Sequence, residues 1–199
     1  YLVGGTWRSL FKLHLFQNNH PVHIIHQYSI DKSTLSKFVE KVSSFNKSKL
    51  KTVEYISKSR TQFLPYSSII LDEIMSITNP KKIICSISGL REGSLSIDHF
   101  KNTKESEIFT KSIEYIALKR GDLGSTYQKY FKFILPVFDG NEHYNKKLLH
   151  LACVLSHMDW GLGAFQKAEL VFQETLNTPL LRLTPVSYTH LTLPTRAVV

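Results

Sequence analysis

The sequence predicts an α/β layer followed by an all-α half, and three observations carry that expectation. Strand-like and helix-like segments alternate as far as Asp98, a polar stretch then interrupts them, and only helical periods follow. Of 199 residues, 42% are apolar and 21% charged. That balance is ordinary for a globular chain and excludes collagen-like, low-complexity or wholly disordered ones. No apolar run approaches the roughly 18 to 20 residues that a membrane-crossing helix needs, and no signal peptide is recognisable. Cys85 and Cys153 are too few for a disulfide framework; lying in apolar runs, they read as buried thiols in a reducing cytosol.

Tyr1-Leu2-Val3 reads as a strand already in progress, without an initiator Met, as expected of a fragment. Val3-Gly4-Gly5-Thr6 then reads as strand, glycine turn and helix. Thr6 can cap that helix, and Trp7, Leu10, Phe11 and Leu15 share one apolar face. Pro21 to Tyr28 is short, apolar and β-prone, the pattern of a strand. Asp31 or Ser33 can cap the next helix, whose stripe is Leu35, Phe38, Val39 and Val42. A Lys- and Ser-rich polar stretch follows from Asn46.

Leu64-Pro65 starts a third helix with proline in its first turn. Ile69, Ile70, Leu71, Ile74 and Met75 make it apolar nearly all round, which predicts burial, and Asn79-Pro80 stops it. Lys81 to Ser88, with Ile83, Ile84, Cys85 and Ile87, reads as a central strand, and Gly89-Leu90-Arg91-Glu92-Gly93 as a turn after it. Residues 1–98 thus form one expected domain and 99–107 a linker. Residues 108–184 form a helical domain, built on Ile108, Ile113, Ile116 and Ala117, on Tyr127 to Leu135, and on helices near 146–157 and 166–176. Residues 185–199 alternate like a strand and resemble the translation of a sequencing adapter. They are expected to be a non-native tail.

The net charge is +9, from 25 Lys and Arg against 16 Asp and Glu. Residues 1–60 hold ten of those basic residues and three of the acidic ones, so the excess lies in the first third. Such a field attracts polyanions. The lysines are spaced singly, as on a solvated helix face, and nothing shows the aromatic and basic interleaving of an RNA-binding module.

Four constellations could carry chemistry. Gly4-Gly5-Thr6 is a strand-to-helix turn whose backbone N–H groups, with the helix dipole, can hold phosphate, or else a plain tight turn. Gly89 to Gly93 sets Arg91 and Glu92 just past a buried strand, where ligands bind in open α/β sheets; an Arg–Glu pair locking a helix start is the other reading. His20, His23 and His26 recur every third residue, and on a strand His20 and His26 would share a face with His23 opposite, which does not converge on a metal. His150, His157 and Asp159 resemble part of a helical His/Asp metal pattern, but Met158 separates the pair that the pattern needs adjacent. Cys153 has no base at helical spacing. No metal site is expected.

Taken together, several segments resemble the exopolyphosphatase/guanosine pentaphosphate phosphatase (Ppx/GppA) family. These are Val3-Gly4-Gly5-Thr6-Trp7-Arg8-Ser9-Leu10, Tyr28 after His23 and His26, and Arg60 followed by Leu64-Pro65-Tyr66 and the Ile69 to Ile74 helix. Ser88-Gly89-Leu90-Arg91-Glu92-Gly93 is the most specific match. Leu151 to Ser156, with Trp160 and Ala168-Glu169, resembles the helical domain that follows. The likeness runs in order over roughly residues 2–184.

The resemblance implies the end of the second lobe of an actin-like (ribonuclease H-like) phosphotransferase fold, followed by a helical HD-like domain. It implies hydrolysis of the terminal phosphate of inorganic polyphosphate, or of the 5′ γ-phosphate of guanosine pentaphosphate, by water with Mg²⁺ and a carboxylate base. The family's catalytic Glu and phosphate loops, and with them the Mg²⁺ ligands, precede the position of Tyr1, so no catalytic residue is expected in this chain. Gly4, Gly5 and Thr6 match a turn lining the phosphate or nucleotide cleft. Arg8, Arg91 and Glu92 are expected to line the cleft or to be structural. A cytoplasmic homodimer binding neither nucleic acid nor membrane is expected. The alternative is a module that senses polyphosphate or a guanine nucleotide without hydrolysis, or that mainly dimerises through the faces around Phe131 and Leu151.

Overall fold

The computed structural model describes residues 1–51, 53, 56–119, 126–138, 145–156, 169, 170, 172, 173, 175, 176 and 184–189. The chain divides into two compact units, Tyr1–His99 and Phe100–Val199.

The first unit is an α/β layer. Strand β1 (Leu2–Val3) leads into helix α1 (Gly5–Gln17), and strand β2 (Tyr28–Asp31) into α2 (Lys32–Ser43). Short helices α3 (Lys47–Lys51) and α4 (Lys58–Thr61) precede α5 (Leu64–Thr78), strand β3 (Lys82–Ser86) and α6 (Leu90–His99). The sheet order is β1-β3-β2. β3 lies parallel to β1, with Leu2 opposite Cys85, and antiparallel to β2, with Ile30 opposite Ile83. As expected, 81–88 thus contains the central strand. The core forms where the predicted stripes meet. Leu10, Phe11 and Leu15 of α1 join Leu35, Val39 and Val42 of α2, Leu71 and Met75 of α5, and Ile83 and Cys85 of β3. Burial pushes the Cys85 thiol up to about 11, which keeps it unreactive.

The structure corrects several expectations. The strand read at Pro21 to Tyr28 begins only at Tyr28. The residues before it form a packed loop, because Val22 and Ile25 reach the core without a ladder. Gln27 takes a positive φ of 58° and donates its N–H to Cys85 O at 2.9 Å. Thr6 does not cap α1: Gly4 holds the cap position, and no side chain bonds there. Asp31 is the residue at the cap position of α2, again without a side-chain bond. The polar stretch after Asn46 is partly helical, and Leu50, Val53 and Ile56 pack on the core.

Helix α5 departs most. Leu71 and Met75 are buried, but Ile69, Ile70, Ile74 and Ile77 are exposed, Ile77 by 75%. One stripe of α5 lies along α2 and α1, and its other side has no cover within this unit among the described residues. The segment Gly89 to Gly93 is the start of α6 rather than a turn.

The second unit is helical in its described residues. It contains α7 (Glu105–Lys119), α8 (Thr126–Phe138) and α9 (Lys146–Ser156), with α9 packed against both others. The polar stretch read as linker is turn only to Lys104, since Glu105 already opens α7. Ile113, Leu151, Val154 and Leu155 are buried. Leu151 is therefore part of this unit's own core. Residues 185–189 are helical rather than strand-like; Thr184 accepts from the Ser187 and Tyr188 amides, and Tyr188 is buried. Residues 190–199, and His157 and Asp159 of the incomplete His/Asp pattern, lie outside the described residues.

Two outcomes follow. Leu71→Ala should cost about 2–5 kcal/mol by leaving a cavity, whereas Ile77→Ala on the exposed side should stay within about 0.5 kcal/mol, both read by denaturant unfolding. Burial holds the His14 and His26 imidazoles below their ordinary value of 6.5. The unfolded chain therefore binds more protons just below that value, and stability falls as pH drops from 6.5 through the lowered native values. Thermal unfolding across that window should show the fall, and the double variant His14→Gln with His26→Gln should flatten it.

Candidate functional site

The glycine turn sits where β1 ends and α1 begins. Gly4 takes φ 134° and ψ 157°, a conformation that L side chains rarely adopt. Its carbonyl accepts the Arg8 amide at 3.1 Å, the opening bond of α1. The N–H groups of the helix's first turn have no intrahelical partner, and the helix dipole adds partial positive charge there. No acidic residue in that turn offsets it.

Arg60, at the end of α4, lies over this turn. A Cβ built on Gly5 would meet its Cζ at 3.0 Å, Nη2 at 3.1 Å and Nη1 at 3.3 Å. Glycine is thus what lets the guanidinium approach the backbone. The guanidinium makes no hydrogen bond or ion pair with another described residue. Beside the turn runs a groove of about 330 Å³, lined by Gly4, Gly5, Thr6 and Trp7 from α1's start and by Phe63, Tyr66, Ser67 and Ile70 from α5's. Its Gly4–Thr6 end offers backbone donors, with the Arg60 guanidinium against Gly5 though not among the lining residues; the rest is mainly apolar and aromatic. An anion with a flat apolar body suits such a surface, because charge and ring find separate partners.

The other expected residues are placed differently. Arg8 does not line the groove; its Nε donates to Ser86 O at 3.1 Å and its Nη2 to Ile87 O at 2.7 Å. Glu92 accepts the Gly89 N–H at 2.6 Å, which closes the start of α6 as a capping box does. That bond, with Arg91 and Arg8 nearby as weaker causes, holds its carboxyl below the usual range. Arg91 is exposed on α6 and does not line the groove.

The imidazoles have separate partners. His20 Nδ1 bonds within its own loop to Val22, His23 stacks on Phe16 at 4.0 Å, and His26 Nδ1 accepts the Ile87 amide at 3.4 Å. The shared strand face expected for His20 and His26 is absent, since no strand forms there. His150 lies against Tyr127 and Phe131. Among the described residues no three His, Cys, Asp or Glu side chains are grouped to hold a metal. Among the described residues the groove lining contains no carboxylate, and these residues do not fit Mg²⁺, which prefers carboxylate and water oxygens.

Nothing in the sequence marked Arg60, Trp7, Phe63, Tyr66 or Ile70 as part of the site: Trp7 and Ile70 read as apolar helix faces, and Arg60 and Tyr66 entered only through the family resemblance. The signal available was an arginine just ahead of the Leu64-Pro65 helix start, whose meeting with Gly5 only the fold supplies.

Gly4→Ala should destabilise by about 1–3 kcal/mol through strain at a positive φ. Gly5→Ala should cost less than Gly4→Ala, because the colliding group is the movable end of Arg60. Unfolding of both variants checks the order.

A family model describing the Ppx/GppA phosphatase family matches residues 1–100. A search of curated proteins finds no match.

Proposed function

Because the chain belongs to the Ppx/GppA phosphatase family, we propose that it is part of a phosphoanhydride hydrolase that removes the terminal phosphate of inorganic polyphosphate or of guanosine pentaphosphate. The observation that carries this is the Gly4–Thr6 turn at the edge of the groove, with the Arg60 guanidinium set against Gly5. Amides and guanidinium would hold phosphate oxygens by charge-assisted bonds. Arg8 and Glu92 support this end of the layer from outside the groove.

Of the two substrates, guanosine pentaphosphate fits the groove better. Trp7, Phe63, Tyr66 and Ile70 offer a nucleoside apolar contact, whereas an unbroken polyphosphate would desolvate charge against them. Phosphatases of this family typically depend on a metal, which we take to be Mg²⁺. With no carboxylate among the described residues of the groove lining, we assign the metal ligands and the general base to sequence outside this chain. The whole protein would then resemble an actin-like phosphotransferase with a helical HD-like domain after it. Sensing of the same ligands without hydrolysis remains the reading if that base is missing there.

No helix among the described residues is long and apolar enough to cross a membrane, and we propose a cytoplasmic setting. We propose a homodimer through exposed apolar faces, such as that of Phe133 and Val137 on α8, rather than through Leu151.

The chain by itself should release no phosphate from polyphosphate or guanosine pentaphosphate with Mg²⁺, yet should bind the nucleotide, with a change in Trp7 fluorescence. Arg60→Ala should weaken that binding about tenfold or more, the scale of a lost charged hydrogen bond. Equal binding by wild type and Arg60→Ala would reject the site, and turnover above a heat-killed control would reject the assignment of the base.

A further inference from the structure

Arg8 is the fourth residue of α1, and it makes two kinds of bond at once. Its amide closes on Gly4 O at 3.1 Å, so it fixes where the helix begins. Its guanidinium reaches across 78 and 79 residues of sequence to Ser86 O and Ile87 O, at the end of β3. The same strand end is tied down from its other side, where Ser86 Oγ accepts the Ser88 amide at 3.1 Å and Glu92 accepts the Gly89 amide at 2.6 Å. Arg8 is half-buried, and its charge is directed at carbonyls rather than into the groove.

Apart from Arg8, the turn is held by the short β1–β3 ladder and by Ser9 Oγ, which donates to Gly5 O at 2.9 Å. β1 is two residues long, no side chain caps α1, and two consecutive glycines give the turn the least restricted backbone available. Amide donors hold an anion well only when their directions are set beforehand. Arg8 sets them by joining the first turn of α1 to the central strand through two bonds of defined direction.

We propose that Arg8 is a positioning residue for the phosphate site at Gly4–Thr6. It acts by locking the first turn of α1 onto the end of β3, and not by contributing charge to the ligand. The proposal rests on the reading of the groove as a phosphate site. Two separate carbonyls are engaged by one planar guanidinium, a geometry that a lysine ammonium does not reproduce.

The test titrates the full chain with inorganic tripolyphosphate by calorimetry, for wild type, Arg8→Lys, Arg8→Ala and Arg60→Ala. Amide hydrogen exchange at Gly5, Thr6 and Trp7 is followed alongside. Arg8→Lys and Arg8→Ala should both lose about tenfold in affinity or more, with faster exchange at those three amides. Should Arg8→Ala fail to fold, Arg8→Lys and Glu92→Gln carry the comparison, and Glu92→Gln should show the same changes to a smaller degree. Full affinity in Arg8→Lys would reduce Arg8 to a charge, and unchanged affinity with a lowered melting temperature would reduce it to a structural tie; either result overturns the proposal. A wild type that ignores tripolyphosphate, or an Arg60→Ala variant that binds like wild type, would instead overturn the phosphate site itself.

Discussion

The absence of side chains at Gly4 and Gly5 is the constraint on which the layout of the first unit depends. At Gly4 the reason is conformational, since φ 134° is the angle that turns the chain from β1 into α1. At Gly5 the reason is steric, since a Cβ would stand 3.0 Å from the Arg60 guanidinium carbon. The two effects act on neighbouring atoms with different results. The first aims α1, and with it the stripe of Leu10, Phe11 and Leu15, at the sheet. The second opens the backbone to a cation carried by a helix about fifty residues later in the chain. Core formation and the close approach of a cation to the turn thus arise from one dipeptide.

Those parts of the fold legible in the sequence were the ones decided locally. Helices α1 and α2 follow from apolar stripes at helical spacing, and α5 from proline in its first turn and Asn79 at its end, which takes a left-handed φ of 42°. β3 follows from its apolar run between turns. The misread segments are those decided by distant partners. Pro21 to Gln27 has strand composition, but β3 has only one ladder position on that side, and Tyr28 to Asp31 takes it. Glu92 read equally as a ligand-facing group or as a helix lock; its bond to Gly89 makes it the lock. Thr6 is a good capping residue by type, yet the turn needs a backbone that only Gly4 can adopt. The glycine turn was legible as a candidate phosphate site, whereas Arg60 was not, because nothing local marks an arginine that a tertiary contact will bring to Gly5.

Helix α5 shows how an apolar run can mislead about burial. Ile69, Ile70, Ile74 and Ile77 repeat with the same spacing as buried residues, so periodicity alone treats them as core. Of the apolar side chains of α5 the layer buries only Leu64, Leu71 and Met75, with Ser67 and Ser68 beside them. Solvent-facing isoleucines on one helix make an apolar strip, and strips of that kind mark surfaces that meet something else. The strip is continuous with the groove through Tyr66 and Ile70. Whatever occupies the groove therefore meets an already apolar border, which favours ligands that carry a hydrophobic part.

The three arginines singled out in this unit show why net charge is a poor guide to a binding site. Ten basic residues crowd the first 60 positions, yet the positive field they make is spread over solvated faces and screened within about 10 Å at ordinary salt. Arg91, beyond that stretch and exposed on α6, adds only to the diffuse surface charge. Arg8 contributes almost nothing to it, because two carbonyls absorb its donors at 3.1 and 2.7 Å. Arg60 is set against glycine backbone with its guanidinium unengaged by the described residues. What separates these three identical side chains is the hydrogen-bonding capacity each has left after folding. A phosphate is held by donors that remain unsatisfied, and of these three Arg60 is the one whose guanidinium no described residue engages.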